Sequence, residues 1–139
     1  MKYIPVQETI PQSKRQEFNE KIVYLIDSDT AVGAGITKED IYNAYTGDGG
    51  LHGLERSMFD SYAKYSEAKK EVENGQFFPP PYLCKFITDC LQVDKEDVVA
   101  DLTFGMGSFF NFMPSEANLY GCEIDTKAYK VAHYLYPAA

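Results

Sequence analysis

"VVADLTFGMGSFF", residues 98–110, is the stretch that decides the fold of this 139-residue chain. Its apolar beginning is typical of a buried β-strand, and the strand ends at an acidic residue, Asp101. Gly105 and Gly107 follow, and this spacing favours a tight turn from a strand into a helix, which we expect to begin near Gly107. Strand, glycine turn and helix in this order are typical of nucleotide-binding α/β proteins, so the ligand of the loop becomes the question.

The segments on either side continue an alternation of helices and strands. An aromatic turn at 76–80 precedes a predicted helix over 81–92, which a proline can begin because its missing N–H is not needed in the first helical turn. Residues 97–102 are predicted to form a short buried strand, 117–125 a second strand and 126–136 a last helix. Strands separated by helices predict an α/β fold with a parallel sheet and right-handed crossovers.

The N-terminal half is predicted to be helical. One helix is expected over 14–28, a second from Thr37 with Asp40 completing a capping box, and a third over 57–74. Residues 46–54 hold four of the ten glycines and indicate a loop; without the Lys-Ser/Thr pair of a P-loop, a structural turn is preferred over a phosphate site. The side chains predicted to face the core are Phe18, Ile22, Leu25, Ile26, Ile41, Ala44, Tyr45, Met58, Tyr62, Tyr65 and Val72.

Composition and charge limit the classes of function. The net charge is −8, whereas a domain that grips DNA unaided needs a basic face because phosphate contacts dominate affinity. DNA contacts therefore come from elsewhere, or the partner is a basic protein, or the acidity only favours solubility. Cys84, Cys90 and Cys122 match no zinc spacing and are expected to be buried free thiols. With no signal sequence and no apolar run of about 18 residues, we expect a cytoplasmic protein that does not enter membranes.

Acidic residues at the ends of both predicted strands limit which ligand the loop can bind. Asp101 stands at the entrance of the glycine loop, where it would repel a pyrophosphate, and Phe110 replaces the third glycine of the dinucleotide-binding pattern. Glu123 lies at the end of the second predicted strand, where a carboxylate can accept hydrogen bonds from ribose hydroxyls. S-adenosylmethionine carries a sulfonium and an ammonium group but no phosphate, so the pattern favours it over NAD. A tight turn without a ligand remains the alternative.

Three segments together resemble a known family: "GQFFPPPYLCKFITDCL", "VVADLTFGMGSFF" and "NLYGCEIDTKAYKVAHYLYP". They are similar to the N-terminal part of N6-adenine DNA methyltransferases, most closely the methylase modules of very large methylase–helicase proteins of phages, plasmids and conjugative elements. The helical lead-in is also similar, so the resemblance covers nearly the whole chain. It implies a partial Rossmann-like methyltransferase fold, with a helical N-terminal region (1–74) and a partial S-adenosylmethionine-binding region (75–139) in one compact unit.

The resemblance also implies which residues bind the cofactor. They are Gln76, Phe77, Phe78, Asp101, Thr103, Gly105, Gly107, Glu123 and Ile124. The sequence departs from the family at Pro79, where threonine is usual, and at Leu102 and Phe104, where smaller residues or proline are common. Phe104 is large enough to intrude on the cofactor pocket, so these departures bear on affinity more than on fold.

Catalysis in this family uses an Asp/Asn/Ser-Pro-Pro-Tyr/Phe loop that holds the amine of a flipped adenine, and that loop follows the last helix seen here. The similar stretch Pro79–Tyr82 lacks a polar side chain at its first position and fits the cofactor segment better. His52 and His133 form no metal motif and no catalytic set with a nucleophile. No catalytic residue and no metal site is therefore predicted.

Two functions of different classes follow. The first is the S-adenosylmethionine-binding portion of an adenine methyltransferase-like protein that is catalytically incomplete alone. The second is a non-enzymatic protein of a mobile element that inhibits host defence, as anti-restriction or anti-CRISPR proteins do, by protein contact. Two strands leave apolar edges exposed, so a homo-oligomer or a protein partner should cover them. DNA is expected as a partner only if another domain or subunit supplies contacts.

Overall fold

The computed structural model describes residues 12–45, 56–73, 78–79 and 81–139. The described part combines helices with one short parallel sheet. In chain order, the elements are α1 (Gln12–Asp27), α2 (Lys38–Ala44), a 3-10 turn (Arg56–Met58), α3 (Tyr62–Glu73), α4 (Pro81–Leu91), β1 (Val98–Asp101), a second 3-10 turn (Phe110–Phe112), β2 (Asn118–Gly121) and α5 (Thr126–Leu135).

The sheet consists of β1 and β2 paired in parallel. The register runs from Val98 opposite Asn118 to Asp101 opposite Gly121. Two backbone hydrogen bonds continue the pairing past the strands: Cys122 N–H donates to the Asp101 carbonyl (2.8 Å), and Phe104 N–H donates to the Cys122 carbonyl (2.9 Å). The predicted parallel pairing is confirmed, and both carboxyl ends lie side by side.

Helix α2 begins with the predicted capping box. The backbone N–H of Asp40 donates to Thr37 Oγ1 (3.1 Å), and the Thr37 N–H donates to Asp40 Oδ2 (2.8 Å). The Thr37 hydroxyl also donates to Asp40 Oδ2 (2.6 Å), and this bond, together with the one from the Thr37 N–H, lowers the pKa of the Asp40 carboxyl below its ordinary value. The sequence signature was sufficient here because a capping box involves only neighbouring residues.

The main core joins the N-terminal helices to α5. Its buried members are Ile22, Ala31, Ile41, Tyr42, Tyr45, Met106, Ala128, Val131 and Leu135. Two polar contacts reinforce the same packing: Lys130 Nζ lies 2.6 Å from Asp27 Oδ2 on α1, and Lys38 Nζ donates to the Leu135 carbonyl (3.1 Å). Residues from both sides of the predicted boundary at 74 and 75 therefore share one core.

A smaller aromatic cluster lies between the glycine loop and α5. Phe104, Phe110 and Ala132 are buried in it, with Tyr136 packed at its side. The ring centroids of Phe104 and Phe110 are 4.4 Å apart, and that of Tyr136 lies 6.2 Å from Phe104. Phe104 thus packs inward, toward α5, and not into a ligand pocket.

Several predicted positions are wrong. No α-helix begins at Gly107; because Gly107 has a φ of +81° and Pro114 follows soon after, the segment forms only turns and one 3-10 turn. Phe18 is 50% exposed, and Ala44 is exposed while Tyr42 is buried in its place. The remaining mismatches are the exposed Met58, Tyr62, Cys90 and Cys122.

Other predictions fall on undescribed residues. The glycine loop at 46–54, the side chain of Val72, and Gln76 and Phe77 lie outside the part of the chain that the structure describes.

The two faces of the sheet differ in exposure. Val99 and Leu119 point toward the aromatic side and are half-buried, whereas Val98 and Tyr120 on the opposite face are 70% and 60% exposed. The prediction of a buried strand over 97–102 is therefore wrong for one of its faces. Within the described ranges, no helix has the length and apolar character needed to cross a membrane.

Candidate functional site

The carboxyl end of the sheet brings the predicted acidic residues together. Asp101 is the last residue of β1, and Glu123 follows β2 by two positions. Because the strands are parallel and paired to their ends, both loops leave from the same edge. In open parallel sheets this edge is where ligands bind.

Asp101 is fixed by the turn that follows it. Its Oδ1 accepts a hydrogen bond from the Thr103 N–H (2.9 Å) and a longer one from Thr103 Oγ1 (3.4 Å). Both contacts use the same oxygen, and among the described residues none donates to Oδ2. The side chain is partly exposed. A second carboxylate oxygen is therefore left to face a ligand.

Glu123 joins the glycine loop to the start of α5. Its Oε2 accepts from the Gly105 N–H (2.7 Å), and its Oε1 accepts from the Asp125 N–H (2.7 Å). Asp125 in turn caps α5 by accepting from the Ala128 N–H (2.8 Å). Each carboxylate oxygen has a further lone pair, so Glu123 can still accept hydrogen bonds from ligand hydroxyls while it holds the loop.

The packing around the loop requires glycine at two positions, whether or not a ligand is bound. Gly105 and Gly107 have φ values of +57° and +81°, which side-chain-bearing residues rarely adopt. A Cβ on Gly105 would lie 3.0 Å from the Phe78 ring, and one on Gly107 would lie 2.5 Å from the Tyr136 ring. Met106, between the two glycines, is buried in the main core. The loop is therefore set in place from both sides without a ligand.

Phe78 and Ile124 place apolar groups beside the loop. The Phe78 ring packs edge-on to Tyr45, with centroids 6.0 Å apart, and covers Gly105. Ile124, next to Glu123, is 98% exposed. Of the predicted site residues, the structure brings together Phe78, Asp101, Thr103, Gly105, Gly107, Glu123 and Ile124.

The charge of the site limits its ligands. No lysine or arginine occurs between Lys95 and Lys127, so every charged side chain of the loop and of both strand ends is acidic. Phosphate groups would meet uncompensated negative charge here. The donor and acceptor set suits a ligand with cationic groups and hydroxyls.

A cavity of about 420 Å³ lies elsewhere in the molecule. Its lining includes Lys38, Phe110, Leu119, Leu135 and Tyr136. Since α5 begins at the carboxyl end of β2 and runs back, the cavity at the end of α5 lies near the amino end of the sheet. It is separate from the acidic edge.

The prediction that Cys84 is a buried free thiol is confirmed, whereas sequence reasoning missed how Tyr136 and Phe104 pack beside the site. Cys84 is fully buried on α4, its thiol donates to the Pro79 carbonyl (3.6 Å), and burial raises its pKa to about 11. Burial also raises the pKa of Tyr136, whose hydroxyl finds no hydrogen-bond partner in the described part of the chain. The ring of Phe104 lies directly on Gly121. A glycine inside a strand was the available signal, because it often marks a close approach of another group.

Comparison with known proteins shows which family the chain is similar to. A family model described as N-6 DNA Methylase matches residues 58–134, which is more than half of the chain and includes β1, β2 and the loops at their carboxyl ends. No curated protein matches significantly. No solved structure matches significantly either. On the extent of the family match, the chain belongs to the N-6 DNA methylase family.

Proposed function

We propose that this chain is the S-adenosylmethionine-binding portion of an N6-adenine DNA methyltransferase with a Rossmann-like fold. One observation carries the proposal: two carboxylates, Asp101 and Glu123, flank a glycine loop at the carboxyl end of paired parallel strands. Family membership makes methyl transfer the relevant chemistry. The cofactor, when bound, supplies the methyl group on its sulfonium.

Each part of the cofactor has a matching group in the site. Asp101 Oδ2 is placed to attract the ammonium or sulfonium charge, since Thr103 occupies Oδ1. Glu123 can accept from the ribose hydroxyls with the lone pairs that Gly105 and Asp125 leave unused. Exposed Ile124 offers an apolar surface to the adenine ring. Phe78, with Gln76 and Phe77, would border the methionine part, as the family resemblance implies.

Nicotinamide and triphosphate ligands fit less well. Both carry several negative charges that would lie beside Asp101, with no basic side chain between Lys95 and Lys127 to compensate. Burying a charge next to a like charge costs several kcal/mol at roughly 4 Å in a protein-like dielectric. The preference for a cofactor without phosphate follows from this imbalance.

The contacts made by the Pro79–Tyr82 stretch support a structural role for it and not a catalytic one. Pro81 begins α4, and the Pro79 carbonyl already accepts from the buried Cys84 thiol. Pro79 stands at the first position of the motif and has no side-chain acceptor for the adenine amine. We therefore propose that catalysis requires a loop outside this sequence, and that the chain serves a methylase module of a phage, plasmid or conjugative element.

Calorimetric titration with S-adenosylmethionine tests the proposal. We expect micromolar binding by the wild-type chain and at least tenfold weaker binding by Asp101→Asn, which keeps the acceptor for Thr103 but removes the charge. Asp97→Asn is the matched control, because Asp97 is an exposed acid directly before β1, at its other end. A folded wild-type chain that gives no heat at millimolar ligand would refute the proposal.

A second candidate function keeps the scaffold but not the chemistry. The net charge of −8 favours a protein that inhibits host defence by contacting a basic protein surface. Under this alternative, Asp101→Asn would leave activity against the defence system unchanged, while changes on the acidic surface would weaken it. An inhibition assay with the two variant classes separates the candidates.

A further inference from the structure

The outer face of the sheet is largely apolar and exposed. Val98 and Ala100 of β1 alternate outward with Tyr120 of β2, and Leu102, immediately after β1, is 76% exposed. The register places Ala100 directly opposite Tyr120. Side chains of the same parity on paired strands share one face. Asn118, which the register places opposite Val98, is an exposed polar residue on the same face, and we name the apolar residues Val98, Ala100, Leu102 and Tyr120 the outer sheet face.

Such a face normally packs against helices. Parallel sheets are covered on both sides because the strands carry apolar side chains on both faces. In the described chain the opposite face already packs toward Phe104, Phe110 and Met113. A strand of four residues spans about 13 Å, which a helix crosses in about nine residues.

Acidic residues border the outer sheet face at both ends. Asp94, Glu96 and Asp97 precede β1, and Glu116 precedes β2; all four are exposed. At the carboxyl end lie Asp101, Glu123 and Asp125. Lys95 is the basic residue in these borders, and it lies 3.5 Å from Glu96.

This charge pattern disfavours a second copy of the chain as the cover. If two copies met face to face with strands aligned, amino-end acids would meet amino-end acids. If the strands ran in opposite directions, amino-end acids would meet Asp101 and Glu123. Like charges meet in either orientation, at an energetic cost.

We propose that the outer sheet face docks an amphipathic helix of a partner polypeptide, with an apolar side toward Tyr120 and lysine or arginine near both ends. The apolar side covers the exposed strands, and the basic ends meet the two acidic borders. The apolar contacts of the proposal lie outside the glycine loop, whereas Asp101 and Glu123 belong both to the acidic border and to the proposed cofactor site.

Two synthetic helical peptides of about 16 residues provide the probe. They share a leucine stripe at helical spacing and differ only in their ends, two lysines on each end of one and two glutamates on each end of the other. Backbone amide shifts of the 139-residue chain are followed by NMR during titration. We expect the lysine-ended peptide to shift amides at 98–102 and 118–122, and to bind at least tenfold more tightly than the glutamate-ended one.

Variants locate the binding surface. Tyr120→Lys should weaken binding of the lysine-ended peptide at least tenfold, because it removes the largest apolar group and adds like charge. Tyr24→Lys is the matched control, since Tyr24 is also largely exposed (70%, against 60% for Tyr120) but lies on α1. Shifts centred elsewhere, or equal binding of both peptides, would overturn the proposal. A concentration-dependent dimer that Tyr120→Lys abolishes would also overturn it, by showing that a second copy covers the face.

Discussion

The two faces of one short sheet have opposite environments. On the inner face, Leu119 packs against Phe104 and Phe110, and the Phe104 ring lies directly on Gly121. On the outer face, Val98 and Tyr120 are largely exposed. The helices and the aromatic cluster therefore stabilise the described fold from one side of the sheet, while the other side is exposed. Matched substitutions on the two sides should therefore differ sharply.

The largest effect is expected at Gly121. Gly121→Ala would force a Cβ into the Phe104 ring, so we expect the free energy of unfolding to fall by about 3 kcal/mol or more. Urea denaturation measures the change. Gly33→Ala is the control, because the nearest atom to its added Cβ is 3.7 Å away. Equal costs for the two substitutions would contradict the inner-face packing.

A pair of identical substitutions compares the two environments directly. Val131→Ala, at a fully buried position of α5, should cost about 2 kcal/mol because it removes two buried carbon groups and leaves a small cavity. Val98→Ala on the outer face should change stability by less than about 0.5 kcal/mol. Thermal unfolding of both variants is sufficient. If Val98→Ala proves the more costly change, the outer face is packed in solution.

The sequence predicted the elements better than their environments. The capping box of Thr37, the helix beginning at Pro81 and the two strands follow from local signals, because each depends on neighbouring residues or on a repeating apolar pattern, although the second strand ends at Gly121 and not at the predicted residue 125. The family match agrees with the resemblance that the glycine loop carries. These features needed no knowledge of distant contacts.

What failed depended on distant contacts. Phe104 packs onto Gly121 from another strand, and nothing near Phe104 in sequence indicates the space that Gly121 provides. The exposed outer face was predicted to be buried, since an apolar strand has the same pattern whether or not a partner covers it. The two hydrogen bonds that Glu123 accepts, from the Gly105 and Asp125 N–H groups, likewise follow only from the three-dimensional arrangement.

Alkaline pH should destabilise the inner side through Cys84. Burial raises the pKa of this thiol from 9.0 to about 11, so the folded state favours the protonated form. The stabilisation is complete below pH 9 and is lost as pH rises toward 11, by about 1 kcal/mol per pH unit. Urea denaturation of Cys84→Ala across this range should show a shallower decline. An identical decline in both proteins would assign the effect to other groups, such as Tyr136.

The smallest but most direct effect is a pattern of amide shifts. S-adenosylmethionine added to isotopically labelled protein should shift the amides of Gly105, Gly107 and Ile124 in a saturable manner, because these residues surround the acidic edge. NAD, tested in parallel, should produce no comparable shifts. Absence of any shift at millimolar S-adenosylmethionine, or shifts centred on the cavity near Lys38 and Tyr136, would contradict the assignment of the cofactor site to the carboxyl end of the sheet.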